Sequence, residues 1–249
     1  TYVIDWYEYK SLMQSFFDAD VIDIELLYDN AMLAVNYNLA KKYNLKYILA
    51  GTNLSTEGMK MPKNMNWFKY DKKNIKSIVK KFGNYKISTF PLISTFDLVK
   101  YKVINRINWI SILDYVDYNK NTAEQILQEK YGFKTYKYKH YESVFTRFYQ
   151  GYILPRKFNI DKRKLHLSTL IITKQIKRDK ALEELKNDPL TFDDGFNNDK
   201  NYFLKKMDWK ENDLNDYIKR PEIKHDFYPT EKLLWNALLK VYKFFKKKY

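Results

Sequence analysis

What most constrains this chain is a helical apolar period that stops short and hands over to a strand. From about Asp29, Ala31, Leu33, Ala34, Tyr37 and Ala40 recur at helical spacing. Asn44 ends that run, and KYILA (46–50) follows as a short buried strand. TYVID (1–5), ending in Asp5, reads as an earlier strand. Strand, helix and strand at this spacing form a crossover unit, and such crossovers build parallel sheets. Gly51 breaks the second strand at its C-terminal end, which is where open α/β sheets hold ligands.

The rest of the chain extends this pattern and then leaves it. A helix is expected through Phe17, another over Asn74–Phe82, and a third from Pro91 to Lys102. NWISILDYV (108–116) is a third strand, and NKNTAEQILQEKYGF (119–133) a helix stopped at Gly132. Beyond residue 140 only helices are expected. VFTRFYQGY sets Val144, Phe145, Phe148, Tyr149 and Tyr152 on one face and is closed by Pro155. Asp161 caps the next helix, whose apolar face includes Leu167, Leu170 and Ile171, and a further helix runs near Arg178–Lys186. Residues 187–230 read as acidic, Asn-rich loop. The expected fold class is α/β: part of a parallel-sheet domain over residues 1–117, then a helical domain over 118–249. Three strands make a thin sheet, and the chain opens without Met directly in a β-like run. Both features suggest a fragment whose first strands lie upstream.

Composition bounds the function classes. The 249 residues are 45% hydrophobic, so a sizeable core is available. No apolar run approaches the roughly 18–20 residues of a membrane span. Cysteine is absent, which excludes disulfides, cysteine-held zinc and a thiol nucleophile within these residues and suits a cytoplasmic location. The net charge of +15 suggests an anionic partner, yet all but six of the 45 basic residues are lysine, as on a simply lysine-coated surface.

Two stretches carry candidate chemistry. GTNLSTEG (51–58) follows a strand. A Gly-Thr turn there can offer backbone N–H and a hydroxyl to a nucleotide, and Glu57 can reach Mg²⁺. The same residues also describe an ordinary β-to-α loop with a helix cap. No GxxxxGK[ST] or GxGxxG is present. Residues 139–171 gather two of the three histidines (His140, His166) and three of the six arginines (Arg147, Arg156, Arg163), together with Glu142 and Lys162. Arg163 and His166 are three residues apart and share a helical face. Such a set can bind phosphate and move protons, or can form a salt-bridge network on a helical hairpin.

KHYESVFTRFYQGYILPRKFNIDKRKLHLSTLI (139–171) resembles the signature block of N-acetyl sugar amidotransferases, which are PP-loop ATPases of the adenine-nucleotide α-hydrolase-like class. DIELLYDNAMLAVNYNLAKKYNLKYILAGTNLSTEG and SILDYVDYNKNTAEQIL resemble that family's middle segment and its third strand with following helix. The resemblance implies a HUP/PP-loop-like sheet whose SGGxDS-type phosphate cradle, together with a Cys-rich segment, lies before Thr1. Lys177 stands where the family usually has a helix-capping Thr. The implied reaction converts the N-acetyl group of a nucleotide-activated sugar to an acetamidino group, in lipopolysaccharide, O-antigen or nonulosonic acid biosynthesis. ATP with Mg²⁺ adenylates the amide oxygen and releases pyrophosphate; ammonia then attacks the carbon and AMP leaves. Ammonia comes from separate glutaminase and cyclase-like subunits. Gly51, Thr52, Asn53 and Glu57 are expected at the nucleotide and metal. Arg147, Lys162 and Arg163 are expected at phosphate, and His140, Glu142 and His166 at the acetamido group. Asp117 and Lys120 are weaker candidates. Without a phosphate cradle, these residues alone are expected to show little ATP turnover.

Two alternatives stay open: a PP-loop enzyme modifying tRNA, or a basic RNA-binding or non-catalytic module. His225 is expected on a surface loop. The C-terminal EKLLWNALLKVYKFFKKKY is read as an amphipathic basic helix, either docked on the core with its lysines outward or touching an acidic membrane.

Overall fold

The computed structural model describes residues 1–62, 64–84, 86–134, 142–187 and 194–246. About 63% of the described residues are helical, and the one sheet among them has two parallel strands, an α/β arrangement. These strands are β1 (Tyr47–Ala50) and β2 (Asn108–Ser111), with Asn108 N donating to Lys46 O at 2.8 Å. The chain divides into two compact units: Thr1–Ile48, Lys63–Trp109 and Pro221–Tyr249 form the first, Leu49–Pro62 and Ile110–Arg220 the second. No described helix is long and apolar enough to cross a membrane.

The first unit is built on α1 (Trp6–Asp18), α2 (Leu26–Lys42), α4 (Lys72–Phe82), α5 (Thr95–Val99) and α13 (Lys232–Lys246); α3 belongs to the second unit. TYVID is not a strand. Asp5 instead caps α1, accepting from Glu8 N at 2.8 Å, and Tyr2 and Val3 are exposed. An extended run becomes a strand only when a neighbour takes its hydrogen bonds, and none does so here among the described residues. Leu12, Met13, Phe16 and Phe17 of α1 meet Ile75, Ile78 and Val79 of α4 in the core. Ala34, Tyr37 and Ala40 of α2 pack with Ile93, Leu98 and Ile107. Ala31 is buried as well, so four of the five positions named for the α2 apolar face are core, and Leu33 is partly buried against it. KYILA is less buried than expected: Tyr47 and Leu49 are exposed, because a two-stranded sheet leaves one face open.

Polar side chains buried in this unit brace its loops. Asn30 donates to Lys69 O (2.7 Å) and Ile93 O (2.8 Å) and accepts from Ile93 N (3.0 Å). Lys69 Nζ bridges Asp23 (2.8 Å) and Asp29 (2.9 Å). His225 corrects the expectation of a surface histidine, since it is 2% exposed. Its ring stacks on Trp67 at 5.1 Å, Nδ1 lies 2.7 Å from Asn74 Oδ1, and Asp23 N donates to Nε2 at 3.3 Å. Nε2 thus accepts and Nδ1 donates, which is the neutral imidazole. Desolvation holds its pKa down at about 4.

The second unit holds α3 (Leu54–Glu57), α6 (Lys120–Tyr131), α7 (Val144–Phe148), α8 (Leu154–Phe158), α9 (Arg163–Ile172), α10 (Arg178–Lys186), α11 (Asp194–Met207) and α12 (Glu211–Lys219). Gly132 ends α6 in the left-handed region, φ 65°. Pro155 does not end its helix as expected. The chain runs from α7 through a π-turn (Tyr149–Ile153) into α8 and stops at Asn159, φ 54°. A proline removes one N–H and crowds the carbonyl four residues back. The wider turn containing Gly151 takes up both effects. Residues 194–219 also depart from the loop expectation, while 220–230 keep to it. Phe196, Phe203 and Met207 of α11 and Leu214 and Tyr217 of α12 are buried at helical spacing, which outweighs the acidic, Asn-rich composition around them. α10 begins at Lys177 without a side-chain cap, as the sequence suggests.

Candidate functional site

The strand ends meet the helical part of the second unit at one junction. Gly51 leaves β1 exposed, and a Cβ placed on it would meet nothing within 4 Å. Packing does not demand a glycine there, so its backbone face is open to a ligand. Thr52 Oγ1 lies 2.8 Å from Ser111 Oγ at the end of β2. Asn53, 8% exposed, caps α3: its Oδ1 accepts from Thr56 N (2.8 Å) and Thr56 Oγ1 (3.1 Å). Asp114 Oδ1 accepts from Leu54 N at 2.6 Å. Two of the four orphan amides of this short helix are thereby satisfied by side chains.

Two further segments converge on α3. Ser55 O accepts from Thr173 Oγ1 (2.8 Å) and Gln175 Nε2 (3.2 Å), both just past the end of α9. Gln175 Oε1 in turn accepts from Lys120 N (3.0 Å) at the start of α6. The one side-chain amide therefore joins the Gly51 loop to α6 and α9. Glu57 is exposed at the end of α3, and Lys120 pairs with Glu124 at 3.5 Å. The Tyr118 hydroxyl is pushed up in pKa by burial and by the carboxylates of Glu124 and Glu57, which places it within their electrostatic reach. Among the described residues no three His, Cys, Asp or Glu side chains cluster to hold a metal. Glu57 is a single carboxylate, which suffices for Mg²⁺ only where phosphate and water supply the other ligands.

The charged residues of the 139–171 block take other places. Arg147 forms a two-pronged pair with Asp199, Nε to Oδ2 at 2.5 Å and Nη2 to Oδ1 at 2.6 Å. Arg163 is 7% exposed. It meets Asp161 through Nε (3.1 Å) and Nη2 (2.7 Å), and Nη1 donates to Asn187 O (2.8 Å) beyond α10. Asp161 Oδ1 also accepts from Arg163 N at 2.9 Å in the first turn of α9, while the cap position expected of it falls on Lys162, which makes no side-chain cap. Lys162 and His166 are half-buried at the start of α9, and Glu142 is exposed ahead of α7. His140 lies outside the described residues. Arg156 lies over the Tyr152 ring at 3.9 Å.

α9 thus separates two groups. Lys162, Arg163 and His166 sit at its start, and the Thr173–Gln175 contact with the Gly51 loop lies past its end, about 15 Å along a ten-residue helix. The structure brings Gly51, Thr52, Asn53 and Glu57 together with Ser111, Asp114, Lys120, Thr173 and Gln175. It gives Arg147 and Arg163 carboxylate partners in the helical part. Ser111 and Asp114 could have been found by applying the strand-end rule to NWISILDYV. Thr173 and Gln175 carry no sequence signal, since their role depends on where α9 ends in space.

Residues 142–242 match the family model described as LPS biosynthesis protein WbpG-like, C-terminal domain. No curated protein and no solved structure matches the chain. The matched segment holds Arg147, Lys162, Arg163 and His166 and is similar to the C-terminal domain of a lipopolysaccharide biosynthesis protein.

Proposed function

We propose that this chain serves an ATP-dependent amidotransferase that converts the N-acetyl group of a nucleotide-activated sugar to an acetamidino group. The match of residues 142–242 to a WbpG-like domain is the observation that carries this reading. The signature-block resemblance of residues 139–171 and the open strand-end junction stand beside it.

The chemistry needs an amide carbonyl, a poor electrophile, made reactive before ammonia attacks it. ATP with Mg²⁺ supplies that activation when bound, and the exposed Gly51 backbone, the Thr52–Ser111 hydroxyl pair and Asn53 suit a nucleotide. In this reading Glu57 stands at Mg²⁺. Gln175 and Thr173 fix the loop so that its donors need not reorganise during reaction. Lys162 and His166, half-buried at the start of α9, serve the sugar nucleotide in this reading, and the resemblance alone assigns His140 and Glu142 to it. Arg147 and Arg163, each paired with a carboxylate, brace the helices around that site.

The test is pyrophosphate release from ATP by the protein supplied with ammonium, Mg²⁺ and a UDP-N-acetyl sugar, alongside calorimetric binding of that sugar nucleotide to the chain. Release that requires both sugar and ammonium supports the reading. Release that requires tRNA instead, or no sugar-nucleotide binding, overturns it.

A further inference from the structure

From the exposed face and charge of α13 we infer that this helix lies on an anionic lipid surface. Residues 232–249 contain six lysines and no acidic residue. The helix is held to its unit along one edge, where Trp235 stacks on Phe68 (5.7 Å) and Tyr70 (5.5 Å) and packs against the Ala34–Tyr37–Ile93 core. Away from that edge Leu233 is 85% exposed, Leu234 41%, Val241 54% and Phe244 59%. At 100° per residue these four side chains lie within an arc of about 100° opposite Trp235, with Lys240, Lys243 and Lys232 along its Leu233 side.

A helix that docked only to complete a core would turn this apolar arc inward, and this one turns it to solvent. A wide apolar arc beside a row of lysines is the pattern of helices that lie in the lipid interface, where apolar burial and attraction to anionic headgroups add. At 15 residues α13 meets no criterion for spanning a bilayer, so it lies in the plane of the surface. The observation is independent of the proposed reaction.

The experiment is co-sedimentation of the full chain with vesicles of phosphatidylcholine alone or mixed with phosphatidylglycerol. Binding is expected to the anionic vesicles and to weaken about tenfold or more in Leu233→Glu and Val241→Glu. Val103→Glu makes the same charge change at another exposed apolar residue, 68% exposed, and should leave binding intact. Circular dichroism of each variant checks that its helices persist. Absence of binding by the unmodified chain overturns the inference. So does equal weakening in Val103→Glu, which would mean charge alone is responsible. A concentration-dependent dimer that both α13 variants abolish without lipid also overturns it and assigns the face to a second copy.

Discussion

Thr52 and Ser111 meet hydroxyl to hydroxyl at 2.8 Å, one from the end of each parallel strand. The two strand-end loops are thereby tied together directly beside Gly51, whose own backbone face is open. Ligands of open α/β sheets bind at such ends.

Gly51→Ala separates a binding role from a folding role. No positive φ and no neighbour within 4 Å requires glycine there, so stability should stay within about 1 kcal/mol. If a nucleotide approaches this backbone, its affinity should fall. Thermal unfolding and nucleotide titration of the same variant read the two effects.

Glu57→Gln should leave stability unchanged within about 0.5 kcal/mol, because the side chain is exposed. It should raise the Mg²⁺ concentration needed for half-maximal pyrophosphate release. An unchanged Mg²⁺ dependence removes Glu57 from the metal.

Thr173→Val and Gln175→Ala each delete a donor to Ser55 O, and the second also deletes an acceptor for Lys120 N. Each should cost about 1 kcal/mol in chemical denaturation. Gln175→Ala should also weaken nucleotide binding, since the Gly51 loop loses its tie to both α6 and α9.

Asp199 is 5% exposed and pairs with an Arg147 that is partly open to water. Arg147→Ala leaves a buried carboxylate, so a loss of about 2 kcal/mol is expected, discounted for the arginine's solvent contact. Asp199→Asn in the Arg147→Ala background should recover part of it. Denaturant unfolding of the single and double variants checks both statements.

Acid should destabilise the first unit through His225. Its pKa falls from 6.5 when unfolded to about 4 when folded, chiefly by desolvation, with Asp23 and Asp226 opposing the fall and Lys69 adding to it. The unfolded chain therefore binds more protons between these values, so stability is full above about pH 6.5 and is lost as pH drops toward 4. The loss attributable to this group is about 3 kcal/mol. His225→Asn should flatten stability against pH across that window in unfolding titrations.

Short-range chemistry was readable along the chain. Asn44 and Gly132 stop their helices, α10 spans its expected residues, and Gly51 follows a strand. Each depends on a few adjacent residues whose capping, propensity or φ is local. Pro155 was misread because a π-turn, not a stop, absorbs its missing N–H. The loop reading holds over residues 220–230 but gives way to α11 and α12 over 194–219, because buried Phe196, Phe203 and Tyr217 outweigh the polar residues between them. Within the candidate site, the Gly51–Glu57 half was legible from its place after a strand.

The sequence by itself determined the helices before residue 187 and the two strands of the sheet, several of their stops, and that scarce arginines and histidines gather between residues 139 and 171. Tertiary structure decided what those side chains touch: Asp199 for Arg147, Asp161 for Arg163, and for His225 a dry pocket against Trp67. It also brought Gln175 to Ser55 across 120 positions. Caps and periodicity act between near neighbours, whereas ion pairs and desolvation depend on distances that only packing sets.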